Sequence, residues 1–218
     1  AGEWVTGWYR ATVAFMQREQ QYGSDQLRHA LQAAASDPQL LLLGGGEHEA
    51  LASRRVQAFV HATVRSAAMA LPVESAEREL AEAQRLFSRA LDRDPGLVEA
   101  RVRLGRVLAL RGRSAEAIRH LRQASRMPTE PLIAFYAFLF LGCELVRQGD
   151  YAGGRAAYLE AAARFPLAQS VNLSLAELAR RLGRPEEMEA RTKIALESAD
   201  AAPDPWRTYH AAHGRSAA

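Results

Sequence analysis

Apolar side chains recur at three- and four-residue steps through most of this chain, and glycine and proline punctuate the steps. That period belongs to helices with one buried face. Residues 3–22 carry Trp4, Trp8, Phe15 and Tyr22 on one stripe, which predicts a first helix ended by Tyr22-Gly23-Ser24-Asp25. Ser24 or Asp25 caps a second helix to about Ala35, and Asp37-Pro38 stops it. A short apolar segment follows, and Gly44, Gly45 and Gly46 are expected to break it as a hinge between hairpins. A long helix is expected over 47–71, ended by Pro72 and paired with a partner over 75–93. Shorter helices are expected near 97–111, 114–126, 131–148, 151–164, 168–182 and 185–199. The pattern thus predicts an all-α chain of about ten helices in five hairpins, with almost no strand. Residues 200–218 hold at most one short helix on an irregular tail.

A second, longer rhythm overlies the first. Gly149-Asp150-Tyr151 and Gly183-Arg184-Pro185 stand 34 residues apart, and Gly112 precedes Gly149 by 37. The extra three residues fall around Pro128 and Pro131. In register, Ala83, Phe87, Ala90 and Pro95 form one unit. Leu104-Gly105, Leu108, Gly112, Ala117, Leu121 and Ala124 form the next, then Leu141-Gly142, Leu145, Gly149, Tyr158, Ala161 and Pro166. The last holds Leu175-Ala176, Ala179, Gly183, Met188, Thr192 and Ala195. Gly105 and Gly142 lack a Cβ and let a neighbouring helix approach. Gly112, Gly149 and Gly183 suit the left-handed conformation that ends a helix. Ser114 and Asp150 are the expected caps of the helices that follow.

These positions resemble the tetratricopeptide repeat: Leu-Gly in a first helix, Gly-Asp at the turn, Ala, Tyr and Ala in a second helix, then Pro. The resemblance covers roughly residues 64–200. It departs at Gly154, where the family favours Ala, and at Ala176 and Thr192 in a degenerate terminal unit. It implies a right-handed superhelical solenoid of antiparallel hairpins, and stacks of this kind usually bind rather than catalyse. The expected organisation is a poorly matching N-terminal hairpin over 1–46, repeats over 47–200 and a tail over 201–218.

In this family partners usually lie on the concave face formed by successive first helices. The resemblance places Val102, Arg106, Ala109 and Leu110 there, followed by Tyr136, Leu139, Cys143, Val146 and Arg147, and then by Leu173, Glu177, Arg180 and Arg181. That is a mostly apolar trough edged by arginine, suited to a peptide, an extended tail or a neighbouring subunit. The chain's own N-terminal hairpin or tail is the competing occupant. Some members grip a C-terminal carboxylate with Lys and Asn; these positions hold neither, so that activity is not expected.

Composition changes this picture little. The chain has 218 residues, 48% hydrophobic, with net charge +3. No apolar run reaches a membrane span; the longest, Pro131 to Val146, belongs to a buried first helix. Residues 1–97 carry 10 basic and 12 acidic side chains, a balance of −2, and 98–218 carry 18 and 13, a balance of +5. Eight arginines lie between Arg101 and Arg126 against one acid, Glu116. Arg101, Arg103 and Arg111 fall on different helix faces, and no aromatic series is interleaved, so a salt-bridged surface is expected and nucleic acid is not. Cys143 is the sole cysteine and is expected to be a buried, inert thiol. The chain begins Ala-Gly-Glu, which fits a mature secreted chain cut after small residues, or equally a trimmed or partial chain; a periplasmic or extracellular location is the expectation, with the cytoplasm still open.

No constellation for catalysis or metal binding stands out. His210 and His213 lack a third ligand, and His48-Glu49 lacks the second histidine of a zinc protease motif. No cofactor or metal is expected. Asn172-Leu173-Ser174 is a chance-level sequon within an expected helix. The reading is a non-enzymatic interaction or scaffold protein with a protein or peptide partner. Self-assembly is also expected, head to tail into a ring or filament through Trp4 and Trp8 at one end and Trp206 and Tyr209 at the other. The alternative is a peptide-binding accessory subunit of a larger complex. Trp206 and Tyr209 either cap the last hairpin or dock on another molecule.

Overall fold

The computed structural model describes residues 32, 36–53, 75–198 and 204–209. Every regular element among them is helical. Helix α1 spans Pro38–Leu51, α2 Ala76–Arg93, α3 Val98–Leu110, α4 Ser114–Ala124, α5 Pro131–Arg147, α6 Tyr151–Arg164, α7 Gln169–Arg181 and α8 Pro185–Glu197; one turn, α9, covers Pro205–Thr208. From α2 to α8 the ends agree with the sequence pattern within two residues. The described residues thus hold eight helices and one turn, where the pattern gave about ten. The pair expected over 3–22 and 25–35 lies outside the described residues, apart from residue 32.

Glycine ends the first helix in three hairpins by one mechanism. Gly112, Gly149 and Gly183 have φ of 76°, 85° and 66°. In each, the next residue's N–H reaches five residues back: Arg113 to Leu108 (2.8 Å), Asp150 to Leu145 (2.9 Å) and Arg184 to Ala179 (2.9 Å). This pays off carbonyls that the helix end leaves without partners. Asp150 then caps α6, accepting from the Gly153 N–H at 2.9 Å. Ser114 does not cap as expected: it is the first residue of α4, and its side chain makes no capping bond.

Small residues let the paired helices nest. A Cβ at Gly105 would stand 2.7 Å from Leu121, and one at Gly142 would stand 2.5 Å from the Tyr158 ring. Gly154, the departure from the family's Ala, sits under Val146, where a Cβ would come within 2.5 Å. The same device explains α1. Gly44, Gly45 and Gly46 are buried inside this helix, and a Cβ at Gly45 would strike the Phe87 ring at 2.5 Å. The expected hinge is therefore a packing surface, and the boundary drawn at residue 46 falls within a helix. Asp37-Pro38 starts this helix: the Asp37 carboxylate accepts from the Gln39 and Leu40 N–H groups, with Pro38 at the first helical position. Among the described residues the partner of α2 is α1, which ends at Leu51; the rest of the helix expected over 47–71 lies, from residue 54 on, outside them.

Consecutive helices pack in sequence order, and α1, α3, α5 and α7 also touch one another in a row. The second helices make no comparable contact among the described residues. That asymmetry curves the stack, with the first helices on the inside. Core residues form two clusters in chain order beneath: Leu41, Phe87 and Leu104 in one, Leu121, Phe135, Tyr158 and Leu175 in the other. Asn172 is fully buried, and its amide donates to the carbonyls of Pro166 (2.8 Å) and Ala168 (2.9 Å). In the folded chain the sequon asparagine is a structural crosslink.

Candidate protein-binding groove

The inner row carries two parallel lanes. One runs from the head of α7 across the middle of α5 and α3 to the last turn of α1, and it is covered by the chain's own residues 204–209. The other, at the C-terminal ends of α3, α5 and α7, has nothing over it among the described residues and is called the open lane.

The covering segment crosses the row in reverse repeat order. Asp204 meets α7: one carboxylate oxygen accepts from the Ser170 N–H and the other from the Ser170 hydroxyl at 2.9 Å. Pro205 meets α5, where the Tyr136 hydroxyl donates to its carbonyl at 2.6 Å. Trp206 packs edge-on against Phe140 of α5, with centroids 5.7 Å apart, and stacks on Tyr209 at 5.4 Å. The Arg106 guanidinium lies 4.6 Å from both the Phe140 and Trp206 ring centres. Tyr209 reaches α3 and α1 and is only 1% exposed. Its hydroxyl donates to Glu49 Oε1 at 2.7 Å, and its carbonyl accepts from Arg103 Nη2 at 3.1 Å.

Beneath Tyr209 lies a buried charge network. Arg103 pairs with Glu49 at 3.1 Å and with Glu99 at 2.8 Å, and Arg106 Nε stands 3.6 Å from Glu49. Burial opposes the charge on Arg103, but Tyr209, Glu49 and Glu99 outweigh it and raise its pKa. Burial, followed by the nearby Glu49 carboxylate, pushes the Tyr209 phenol well above 10, against the pull of Arg103 and Arg106. The phenol is therefore a neutral donor at physiological pH.

The open lane continues along the same helices. Leu110 on α3 is 52% exposed. Cys143 and Arg147 follow on α5, and Glu177, Arg180 and Arg181 on α7, all at the surface or partly so. Arg180 and Arg181 grip Glu177 and hold its carboxyl down to about 2. Arg147 pairs with Glu144 at 2.6 Å. Cys143, expected to be buried, belongs to this surface. Neighbouring atoms still shield its thiol enough to raise its pKa, and the Tyr158 hydroxyl approaches it at 3.4 Å.

The remaining residues drawn onto the concave face divide by position. Tyr136 and Arg106 belong to the covered lane. Val102 and Leu139 are buried in the core, and Val146 packs over Gly154. Leu173 occupies the place in its unit that Val102 and Leu139 occupy in theirs, three residues before Gly105, Gly142 or Ala176. The first two are covered by the next first helix; Leu173 has none among the described residues and is 51% exposed. It marks the end face of the stack. Trp206 and Tyr209 lie in the covered lane, while Trp4 and Trp8 fall outside the described residues. Glu49, Arg103, Phe140, Ser170 and Asp204 complete the covered lane without having stood out in sequence. Arg103 was legible in principle, one turn before Arg106 on the same stripe.

The arginine-rich stretch has no single face. Arg101 is buried against the Pro95 carbonyl and Gln123, Arg103 and Arg106 serve the covered lane, Arg111 pairs with Glu77, and Arg113 pairs with Glu116. Among the described residues no cluster of three or more His, Cys, Asp or Glu could hold a metal ion, and no helix is long and apolar enough to cross a membrane.

Comparison with known proteins agrees with this architecture. Family models described as tetratricopeptide repeat match residues 75–134 and 141–204. The chain belongs to the tetratricopeptide repeat family, whose fold is a platform for protein–protein interaction, and neither match is to a catalytic family. Solved structures share the fold. The crystal structure of PilW, a widely conserved type IV pilus biogenesis factor, matches with TM-score 0.63 and 17% identity over 88% of this chain and 76% of that one. PilF of Pseudomonas aeruginosa gives 0.61 and 19% over 84% and 72%. MamA gives 0.59 and 15% over 84% and 94%. No curated protein matches the chain in sequence.

Proposed function

We propose that this protein is a non-enzymatic scaffold that binds a protein or peptide partner along its concave face. One observation carries the reading: three successive first helices, with α1 beside them, already hold a polypeptide segment through its backbone carbonyls and aromatic side chains. A surface that grips one chain crosswise offers the open lane beside it to another. Leu110 and Cys143 supply apolar contact there, and Arg147, Arg180 and Arg181 supply polar edges, the mix that marks peptide grooves. The test is differential capture from the native source. A partner recovered with the wild-type chain and lost from Leu110→Asp/Arg147→Glu supports the open lane; equal recovery from both removes it.

Self-assembly is the second reading, and the exposed Leu173 on the end face favours it. A contact between unlike ends closes to a ring or continues as a filament. Light scattering during size-exclusion chromatography at several salt concentrations decides the matter. Oligomers that vanish with Leu173→Asp support assembly, and a strict monomer throughout eliminates it. An accessory subunit of a larger complex would instead show one stable hetero-partner in native mass measurements.

A further inference from the structure

We infer that the covered lane is an exchangeable peptide site, and that residues 204–209 are its resident intramolecular ligand. It would take, from a partner, a segment of the same chemistry: an acid, then proline, tryptophan and, three residues on, tyrosine. The inference deepens the concave-face reading above and rests on it.

The receptor side keeps its charge pairing without the segment. Glu49 is matched by Arg103 and Arg106, and Arg103 is matched again by Glu99. Departure of the segment therefore strands no unpaired buried charge, which is the usual obstacle to emptying an ionic site. Departure frees the Ser170 N–H and hydroxyl, the Tyr136 hydroxyl, Arg103 Nη2 and Glu49 Oε1 for water or another peptide, and it uncovers the Tyr136 and Phe140 rings and the guanidinium face of Arg106. These are the side chains that anchor peptides at interfaces. The segment side is read at four points. Asp204 is held by the backbone N–H and hydroxyl of Ser170, the Pro205 and Tyr209 carbonyls by Tyr136 and Arg103, the Trp206 ring by Phe140 and Arg106, and the Tyr209 hydroxyl by Glu49. Backbone contacts accept any chain; the tryptophan and tyrosine set the specificity. Only residues 199–203 separate the segment from the body of the stack. So short a tether gives an effective concentration on the order of millimolar, which a partner must overcome.

The probe is a fluorescent peptide of residues 202–211, Ala-Pro-Asp-Pro-Trp-Arg-Thr-Tyr-His-Ala. It is titrated by anisotropy into the wild-type chain and into Trp206→Ala/Tyr209→Ala. The vacated lane should bind it, the wild-type chain should bind at least about tenfold more weakly because the tethered copy competes, and peptides with Ala at the tryptophan or tyrosine should lose binding. Should the double variant not fold, the wild-type chain cut at a protease site inserted between Ala201 and Ala202 carries the same measurement with every lane residue intact. Equal binding to occupied and vacated chains, or none to a folded vacated chain, overturns the inference. So does a wild-type dimer abolished by Trp206→Ala/Tyr209→Ala, which would assign the lane to a second copy's tail. Failure here with lane-dependent capture through Leu110 and Arg147 would leave the scaffold reading standing.

Discussion

The two lanes of the inner row lie on the same helices, yet they treat charge in opposite ways. In the covered lane Arg103 is 2% exposed and meets carboxylates on two helices. In the open lane Arg180 and Arg181 share one exposed carboxylate within a single helix. A buried network is costly to break because each missing partner strands another charge, whereas an exposed pair gives way to water. The difference teaches where this protein holds itself together and where its charges stay at the surface.

Four substitutions or conditions would break or sharpen this contrast. The largest effect belongs to Arg103→Ala, which leaves Glu49 and Glu99 buried with less compensation; a loss of about 3–5 kcal/mol in urea unfolding is expected. Tyr209→Phe keeps the ring and removes the donor to Glu49. It should cost about 1.5–3 kcal/mol of segment docking, read as faster hydrogen exchange at the Trp206 and Tyr209 amides with little change in the core.

Alkaline pH probes the same hydroxyl. The docked phenol titrates well above the ordinary value of 10 and the released one near it, so the docked state is favoured by keeping the proton. Docking is fully retained below about 10 and lost as pH rises toward the docked value. Trp206 emission in a Trp4→Phe/Trp8→Phe background should be flat from pH 6 to 9 and change above 10; a transition near neutrality would show that another group controls the segment.

The smallest effect lies in the open lane. Glu177→Gln should leave the urea midpoint at pH 7 unchanged. Because its folded pKa is depressed to about 2, whatever stability the group gives is present above the ordinary carboxylate pKa of 4.5 and disappears as pH falls toward 2. A large loss at neutral pH would mean that this lane also holds the fold together.

Much of the architecture was legible because its causes are local. A glycine that ends a helix, an acid that caps the next and a small residue under an aromatic sit within one unit, and the spacing of 16 residues from Gly105 to Leu121 recurs from Gly142 to Tyr158. The first unit escaped because its small residue and its aromatic, Gly45 and Phe87, are 42 residues apart, and three consecutive glycines read as a break rather than as a close approach. The covered lane escaped for a stronger reason. Tyr209 and Glu49 are 160 positions apart, and no periodicity links them. Their meeting depends on how the whole row curves.

Asp204 has a second occupation. Ala168, at the head of α7, supplies no side-chain cap of its own, and the carboxylate that satisfies the Ser170 amide comes from 34 residues downstream. The last hairpin thus borrows its lid from the strap that lies across it. Cutting or displacing that strap would loosen the terminal coil of the spring as well as clear the channel, so occupancy at the centre of the molecule is felt as fraying at its rim.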